Sequence, residues 1–156
     1  MSFNHICIIV SDLDRSLPFY QDLLGFKNVI AESTEPGIWF DSSTLDDILG
    51  VKNAATRIVV VADDDGAALE LQQAANPLST KAPDEYLRYG KTGVKELAID
   101  VADIDDLFQR VKAAGHELQT DYIWSPYAGT RSFLFYDPDG ALIQAMEVSE
   151  ERFPRK

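Results

Sequence analysis

Two stretches of the chain repeat one pattern, and this internal repeat limits the possible folds more than any other feature. "HICIIVSDLD" begins at residue 5 and "ELAIDVADID" begins at residue 96. Each combines the apolar residues of a strand with an acidic turn, and an amphipathic helical pattern follows. "DGAALEL", from residue 65, and "DGALIQA", from residue 139, repeat as a turn and a strand. The sequence therefore predicts two consecutive βαβββ modules of the α+β class.

The predicted organisation follows from this alignment. Module one spans residues 1–76, a polar linker 77–92, module two 93–150 and a tail 151–156. Strands are predicted at 3–10, 27–32, 38–41, 56–62 and 67–73 in module one, and at 117–122, 130–136 and the final "ALIQAMEV" in module two. Pro18 fits the first turn of the first helix if Asp14 or Ser16 is the N-cap. Residues 42–56 are predicted as a loop or short helix, 63–66 as a hairpin turn and 84–89 as a helical turn.

Composition excludes several classes of partner. With 156 residues, 46% hydrophobic and 26% charged, the chain has the make-up of a folded globular protein of one-domain size. The net charge of −12 argues against nucleic acid and anionic membranes as partners. There is neither a signal-like segment nor an apolar run near the ~20 residues of a membrane span, and we expect a cytoplasmic protein. The single cysteine, Cys7, fits a reducing compartment; it is either a small core residue or a thiol nucleophile.

The alignment brings four potential metal ligands into register. His5 aligns with Glu96, and Glu70 aligns with Gln144. His5 and Glu70 are 65 residues apart, whereas Glu96 and Gln144 are 48 apart, and the difference of 17 residues fits an enlarged loop near 33–55. If the modules are related by a pseudo-two-fold axis, these positions converge on that axis. Two buried carboxylates are costly without a cation, and mixed N/O donors suit Zn, Ni, Co, Mn or Fe(II). Taken singly, Glu70 and Glu96 could equally be solvated acids.

At this point the sequence resembles the vicinal-oxygen-chelate superfamily, which includes glyoxalase I, bleomycin-resistance proteins, methylmalonyl-CoA epimerase and type I extradiol dioxygenases. The resemblance rests on "NHICIIVSDLDRSLPFYQDLLGF", "ALELQQ" and "FYDPDGALIQAMEV", and it covers essentially the whole chain. It implies a cup-shaped, open eight-stranded mixed sheet. It also implies a homodimer or a single-chain site in which one divalent ion is bound at His5, Glu70, Glu96 and Gln144 and chelates two adjacent substrate oxygens.

This chain departs from the glyoxalase I pattern at several positions. Glu96 stands where that family usually has histidine, and Gln144 stands where it has a glutamate that also acts as the base. An amide cannot accept a proton at neutral pH, so Glu70 and Glu96 become the catalytic candidates. Ile9 and Ala74 replace the arginine and asparagine that hold glutathione, which argues against glutathione conjugates as substrates.

Three functions remain open from the sequence. The first is a metal-dependent isomerase, lyase or epimerase that works through an enolate-type intermediate on a small-molecule substrate. The second is an Fe(II) ring-cleaving dioxygenase, although His116 follows a helix end and fits a C-terminal cap better than a second histidine ligand. The third is a metal-free protein that binds an aromatic ligand or an antibiotic. The predicted substrate-binding side chains are mainly aromatic: Trp39, Tyr122, Trp124 and Tyr127, together with Arg131 as a partner for an acidic group.

Overall fold

The computed structural model describes residues 3–33 and 42–149. The chain forms two compact units, Met1–Lys81 and Ala82–Lys156, and the division falls inside the predicted linker. The strand predicted at 38–41 lies outside the described residues. No helix within the described ranges is long and apolar enough to cross a membrane.

Unit 1 is a four-stranded sheet with helices between its strands. Its elements are β1 (His5–Ile9), α1 (Leu13–Pro18), β2 (Asn28–Ser33), α2 (Ser42–Leu49), β3 (Ala55–Ala62) and β4 (Ala68–Asn76). The strand order is β1-β4-β3-β2. β1 runs parallel to β4, while β3 is antiparallel to both of its neighbours. The sheet buries its apolar residues against α1, which packs on β4.

Unit 2 repeats this arrangement with three strands. It contains α3 (Asp84–Leu87), β5 (Glu96–Asp100), α4 (Ile104–Ala113), β6 (Thr130–Tyr136) and β7 (Leu142–Val148). The strand order is β5-β7-β6, with β5 parallel to β7 and β6 antiparallel to it. Helix α4 packs on β6 and β7, where Phe108 meets Phe133 edge-on at a ring-centroid distance of 5.1 Å. The predicted α+β class with two related modules is thus confirmed.

The strand predicted at 117–122 is not a regular strand. Within the described residues, the segment 117–124 pairs with β6 at two isolated bridges, from Leu118 to Phe135 and from Trp124 to Ser132. The segment occupies the position beside β6 that β2 occupies beside β3. Leu118 pairs with Phe135 in the same way that Val29 pairs with Val61. The irregular backbone between the two bridges interrupts the ladder. The fourth strand of module two is therefore reduced to two points of contact.

The first helix begins earlier than the sequence predicts. Asp12, and not Asp14 or Ser16, is the N-cap, and its carboxylate accepts from the Arg15 N–H at 3.1 Å. Pro18 is therefore the last residue of α1 and not part of its first turn. Because proline has no N–H and crowds the preceding turn, the backbone widens into a π-helical turn over Phe19–Leu23.

The remaining predicted local elements are present. Helix α2 lies within the segment predicted as loop or short helix, and α3 lies at the predicted helical turn. The two acidic turns share one hydrogen-bond pattern. The Asp63 carboxylate accepts from the Asp65 and Ala67 N–H groups, and the Asp137 carboxylate accepts from the N–H groups two and four residues after it.

A side chain from the last strand of each unit fixes the start of that unit's helix. Gln73 Oε1 accepts from the Leu13 N–H at 3.0 Å, and Glu147 Oε2 accepts from the Ile104 N–H at 3.0 Å. Gln73 also donates to the Ser11 carbonyl at 3.2 Å. The first N–H groups of a helix have no partner within it, so these contacts satisfy donors that would otherwise remain unpaired at a part-buried position.

We expect Gln73→Ala to lower the free energy of unfolding by about 1–3 kcal/mol, because it leaves a part-buried N–H and a carbonyl without partners. Urea denaturation measures this change. Gln109→Ala, at an exposed position of α4, is the matched control and should change stability by less than about 0.5 kcal/mol. Equal effects of the two substitutions would contradict the assigned role of Gln73.

Candidate functional site

The parallel pairing of β1 and β4 places His5 and Glu70 on one face of unit 1. Cys7 is the Cα partner of Glu70, and His5 lies two residues earlier on the same strand. Since alternate residues of a strand share a face, His5, Cys7 and Glu70 form one row. His5 Nε2 and Glu70 Oε2 are 3.6 Å apart. This separation is too long for a hydrogen bond.

His5 approaches Asn4 with one ring nitrogen and Glu70 with the other. Nδ1 lies 2.6 Å from Asn4 Oδ1, a contact that fits the tautomer with the proton on Nδ1. The lone pair on Nε2 and the Glu70 carboxylate then repel each other unless a proton or a cation lies between them. Two ligands of a tetrahedral zinc ion, each about 2.1 Å from it, are about 3.4 Å apart. The 3.6 Å pair therefore fits a shared cation in its separation and in its donor types.

Cys7 lies beside this pair, and its sulfur contacts Glu70 and Gln72. The thiol donates to Gln72 Oε1 at 3.4 Å. Desolvation of the sulfur, and then the charge and hydrogen bonding of Glu70, raise the pKa of the Cys7 thiol to about 12. A thiol with this pKa is protonated at neutral pH, which disfavours the nucleophile reading of Cys7.

Glu96 and Gln144 occupy the equivalent positions of unit 2. Ala98 on β5 pairs with Gln144 on β7, as Cys7 pairs with Glu70, and Glu96 lies two residues before Ala98. Gln144 Nε2 donates to Ser132 Oγ at 3.1 Å, and that hydroxyl donates to the Ala145 carbonyl at 2.9 Å. These two bonds fix the orientation of the Gln144 amide: Nε2 is engaged as the donor, and Oε1 is the acceptor atom.

Tyr89 contacts Glu96, and the sequence gave no indication of this contact. The Tyr89 hydroxyl donates a short hydrogen bond to Glu96 Oε2. That bond, with a smaller effect of burial and of the carboxylate charge, raises the pKa of Tyr89. Tyr89 lies in the stretch between α3 and β5, which has no periodic pattern that could predict its partner. The phenol occupies one lone pair of Glu96 and holds its carboxylate in place.

Each unit thus contributes two of the four predicted metal ligands. In unit 1 these are an imidazole and a carboxylate, and in unit 2 a carboxylate and an amide oxygen. Neither unit gathers three or more His, Cys, Asp or Glu side chains, among its described residues, into a group that could hold a metal ion. The four-residue ligand set therefore stays a prediction.

The predicted substrate-binding residues have different environments. Trp39 lies outside the described residues. Tyr122 and Tyr127 are exposed, and Trp124 pairs through its backbone with Ser132. Arg131 lies on the face opposite Gln144 and makes a bidentate ion pair with Asp105, with both bonds at 2.8 Å.

Arg131 has a structural counterpart in unit 1. Arg57 makes the same two-pronged pair with Asp14, at 2.9 and 3.3 Å. In each pair the arginine holds the pKa of its aspartate below the usual range, mainly through the hydrogen bonds. Because the pair recurs in both units between the helix and the sheet, Arg131 has a structural role in this contact, and its role in substrate binding stays a prediction.

His116 follows α4, as the sequence predicts. Its backbone N–H donates to the Val111 carbonyl at 3.2 Å, a bond that closes the helix C-terminus. Partial burial lowers the pKa of its imidazole.

Comparisons with known proteins agree with the two-unit fold. Residues 2–145 match the Glyoxalase/Bleomycin resistance protein/Dioxygenase superfamily. A glyoxalase family protein from Bacillus cereus is 21% identical with a TM-score of 0.79, and the match covers 94% of this chain and 93% of that chain. The antibiotic binding protein TnmS3 from Streptomyces sp. CB03234 is 20% identical with a TM-score of 0.60, covering 96% and 98%.

A third similar structure contains a metal ion. The fosfomycin resistance protein FosX from Listeria monocytogenes, complexed with Mn(II) and sulfate, is 19% identical with a TM-score of 0.56, covering 96% of this chain and 94% of that chain. At these identities the structures establish the fold alone. No curated protein matches the chain.

We expect Glu70→Gln to accelerate alkylation of Cys7 by iodoacetamide at pH 8 in the presence of EDTA. Removing the carboxylate charge lowers the thiol pKa, so the thiolate fraction rises. The rate should increase roughly threefold to tenfold, since one pKa unit changes that fraction tenfold. Cys7 is exposed and is the single cysteine, so total modification reports this site alone. Glu117→Gln, at an exposed position of unit 2, should leave the rate unchanged.

Proposed function

We propose that this chain, which belongs to the glyoxalase/bleomycin resistance protein/dioxygenase superfamily, is a divalent-metal-dependent enzyme. Its substrate would be a small molecule chelated through two adjacent oxygens. The reaction class is isomerase, lyase or epimerase, by way of an enolate-type intermediate. His5, Glu70, Glu96 and Gln144 would hold the metal ion.

One observation carries this proposal. The pair His5 and Glu70 and the pair Glu96 and Gln144 stand in the same register on the parallel strands of their units. Within the first pair, the imidazole nitrogen and the carboxylate oxygen are 3.6 Å apart, and in the tautomer with the proton on Nδ1 the two lone pairs repel each other. A cation relieves that repulsion, and one imidazole with three oxygen donors suits a borderline or hard divalent ion.

The four side chains would have different roles. A divalent ion bound there supplies Lewis-acid stabilisation of an oxyanion on the substrate. Glu70 and Glu96 are the two carboxylates that could move a proton, whereas the Gln144 amide, which donates to Ser132, can only position. Tyr89 restrains Glu96 through its hydrogen bond, whereas Glu70 lies beside the Cys7 thiol and His5.

Glutathione conjugates are poor candidates for the substrate. Ile9 and Ala74 are both apolar, and Ala74 is buried. Neither can pair with a glutathione carboxylate. FosX, whose structure contains Mn(II), shares this fold; it supports metal dependence and names no substrate for this chain.

A metal-free ligand-binding protein is the second candidate. Two features favour it: the Tyr89 hydroxyl already occupies Glu96, and the antibiotic binding protein TnmS3 shares the fold. Exposed tyrosines at 122 and 127 would then offer stacking surfaces for an aromatic ligand.

Metal analysis of protein purified without a histidine tag tests the first proposal. We expect stoichiometric Mn(II), Zn(II), Ni(II), Co(II) or Fe(II), and both His5→Ala and Glu70→Ala should weaken metal affinity more than about 100-fold. Loss of a direct ligand costs more than the 10–100-fold typical of its supporting residues. Inductively coupled plasma mass spectrometry and metal titration provide the measurements.

Matched substitutions control for charge and for adventitious binding. His116→Ala removes the other histidine, and Glu117→Ala removes an exposed glutamate; both should keep the wild-type stoichiometry. A wild-type protein without metal that still binds an aromatic ligand would refute the enzyme proposal and support the second candidate. Oxygen uptake with catechol after anaerobic Fe(II) loading would instead reassign the protein as a ring-cleaving dioxygenase.

A further inference from the structure

Gln72 has a buried amide nitrogen without a hydrogen-bond partner. The residue is only 4% exposed, and its Nε2 has no partner among the described residues. A buried N–H₂ group that lacks an acceptor has lost its hydrogen bonds to water without replacing them. This is energetically costly, so such groups are rare. An unsatisfied group of this kind requires an explanation in the function of its surroundings.

Unit 2 has no amide at the equivalent sheet position, where Met146 on β7 pairs with Ser132 on β6. In unit 1 the residue opposite Gln72 on β3 is Ile58, which offers no side-chain acceptor. The missing acceptor of Gln72 is therefore a property of unit 1 and not of the fold.

The orphan amide lies in the same row as the candidate metal ligands. Gln72 follows Glu70 by two residues on β4, so both side chains emerge on one face, roughly 6.7 Å apart along the strand. The Cys7 sulfur lies between them: it contacts the Glu70 carboxylate and donates to Gln72 Oε1 at 3.4 Å. With Oε1 engaged by the thiol, Nε2 is the end of the amide that remains for a ligand.

We propose that Gln72 is a substrate-binding residue whose Nε2 donates to an acceptor oxygen of the substrate beside the chelated oxygen pair. This inference rests on the proposed function, and it narrows the substrate class. The preferred small molecule carries a third oxygen acceptor, such as a carboxylate or carbonyl, next to its two chelating oxygens. Gln72 completes its hydrogen bonding only when that ligand is bound.

The opposite signs expected for stability and binding separate this role from a structural one. Replacing Gln72 by an apolar side chain of similar size removes an unsatisfied N–H₂ group and only the weak bond from the Cys7 thiol, so stability should stay unchanged or rise. The same change should weaken a ligand that uses the amide. If Gln72 served only the fold, its replacement would lower stability and leave the preference among ligands unchanged.

Three catechols serve as probes for Mn(II)-loaded protein under anaerobic conditions. Catechol has two adjacent oxygens only, 2,3-dihydroxybenzoate adds a carboxylate beside that pair, and 3,4-dihydroxybenzoate places the carboxylate far from it. Calorimetric titration gives the affinity of each for the wild type, for Gln72→Met and Gln72→Leu, and for the exposed control Gln109→Met.

We expect the wild type and Gln109→Met to prefer 2,3-dihydroxybenzoate over the other two. Gln72→Met should lower that affinity by roughly 10- to 100-fold, as expected for a hydrogen bond to a charged acceptor, and change catechol affinity by less than about threefold. Its thermal unfolding without metal should occur at the wild-type temperature or above. Gln72→Leu supplies the same comparison if Gln72→Met does not fold.

Two results would overturn the inference, and they are distinct. If the wild type binds no Mn(II), the proposed function fails and the inference fails with it. If Mn(II) and catechol bind but the preference for 2,3-dihydroxybenzoate is absent or survives both Gln72 substitutions, the proposed function stands and the role of Gln72 is refuted. A loss of stability in both variants without a change in that preference would assign Gln72 to the fold.

Discussion

The parallel pairing of the first and last strands of each unit is the interaction on which the candidate site depends. Its register places Cys7 beside Glu70 and Ala98 beside Gln144. A shift of one residue in either pair would turn the donor on that strand to the helix-covered face, because the side-chain period of a strand is two. The register is held at one end by side chains that reach from the last strand to the helix start, Gln73 in unit 1 and Glu147 in unit 2.

This register could be predicted from sequence because the repeat encodes it twice. A single offset aligns Asp12 with Asp103, and both are the N-caps of their helices in the structure. A second offset aligns the two acidic turns and the two last strands. The two offsets differ by 17 residues. The extra residues of module one lie between its first helix and β3, in the part of the chain that contains α2. The pairs of candidate ligands therefore follow from local pattern alone, without knowledge of the tertiary structure.

The details that could not be predicted depend on contacts between distant segments or on competing local effects. The partner of Tyr89 is set by the path of an aperiodic stretch, so no local pattern reports it. The place of Pro18 depends on which of several nearby acidic and hydroxyl side chains caps the helix, and Asp12 does so. The segment near 117–122 has the composition of a strand, but its backbone leaves the ladder between Leu118 and Trp124. The ion pair of Arg131 with Asp105, which matches that of Arg57 with Asp14, joins residues 26 positions apart, so no local pattern reports it either.

The two units agree where the fold requires a residue and differ on the face that carries the candidate ligands. Their helix caps, acidic turns and arginine–aspartate pairs correspond residue by residue. On the face that carries the candidate ligands, His5 of unit 1 corresponds to Glu96 of unit 2, and Glu70 corresponds to Gln144. Gln72 follows this division, since its counterpart Met146 is apolar and leaves no donor to satisfy. A residue that serves packing alone has no reason to bring an unpaired amide into one unit. The unpaired Nε2 of Gln72 thus belongs with the differences between the two units on the face that carries the candidate ligands.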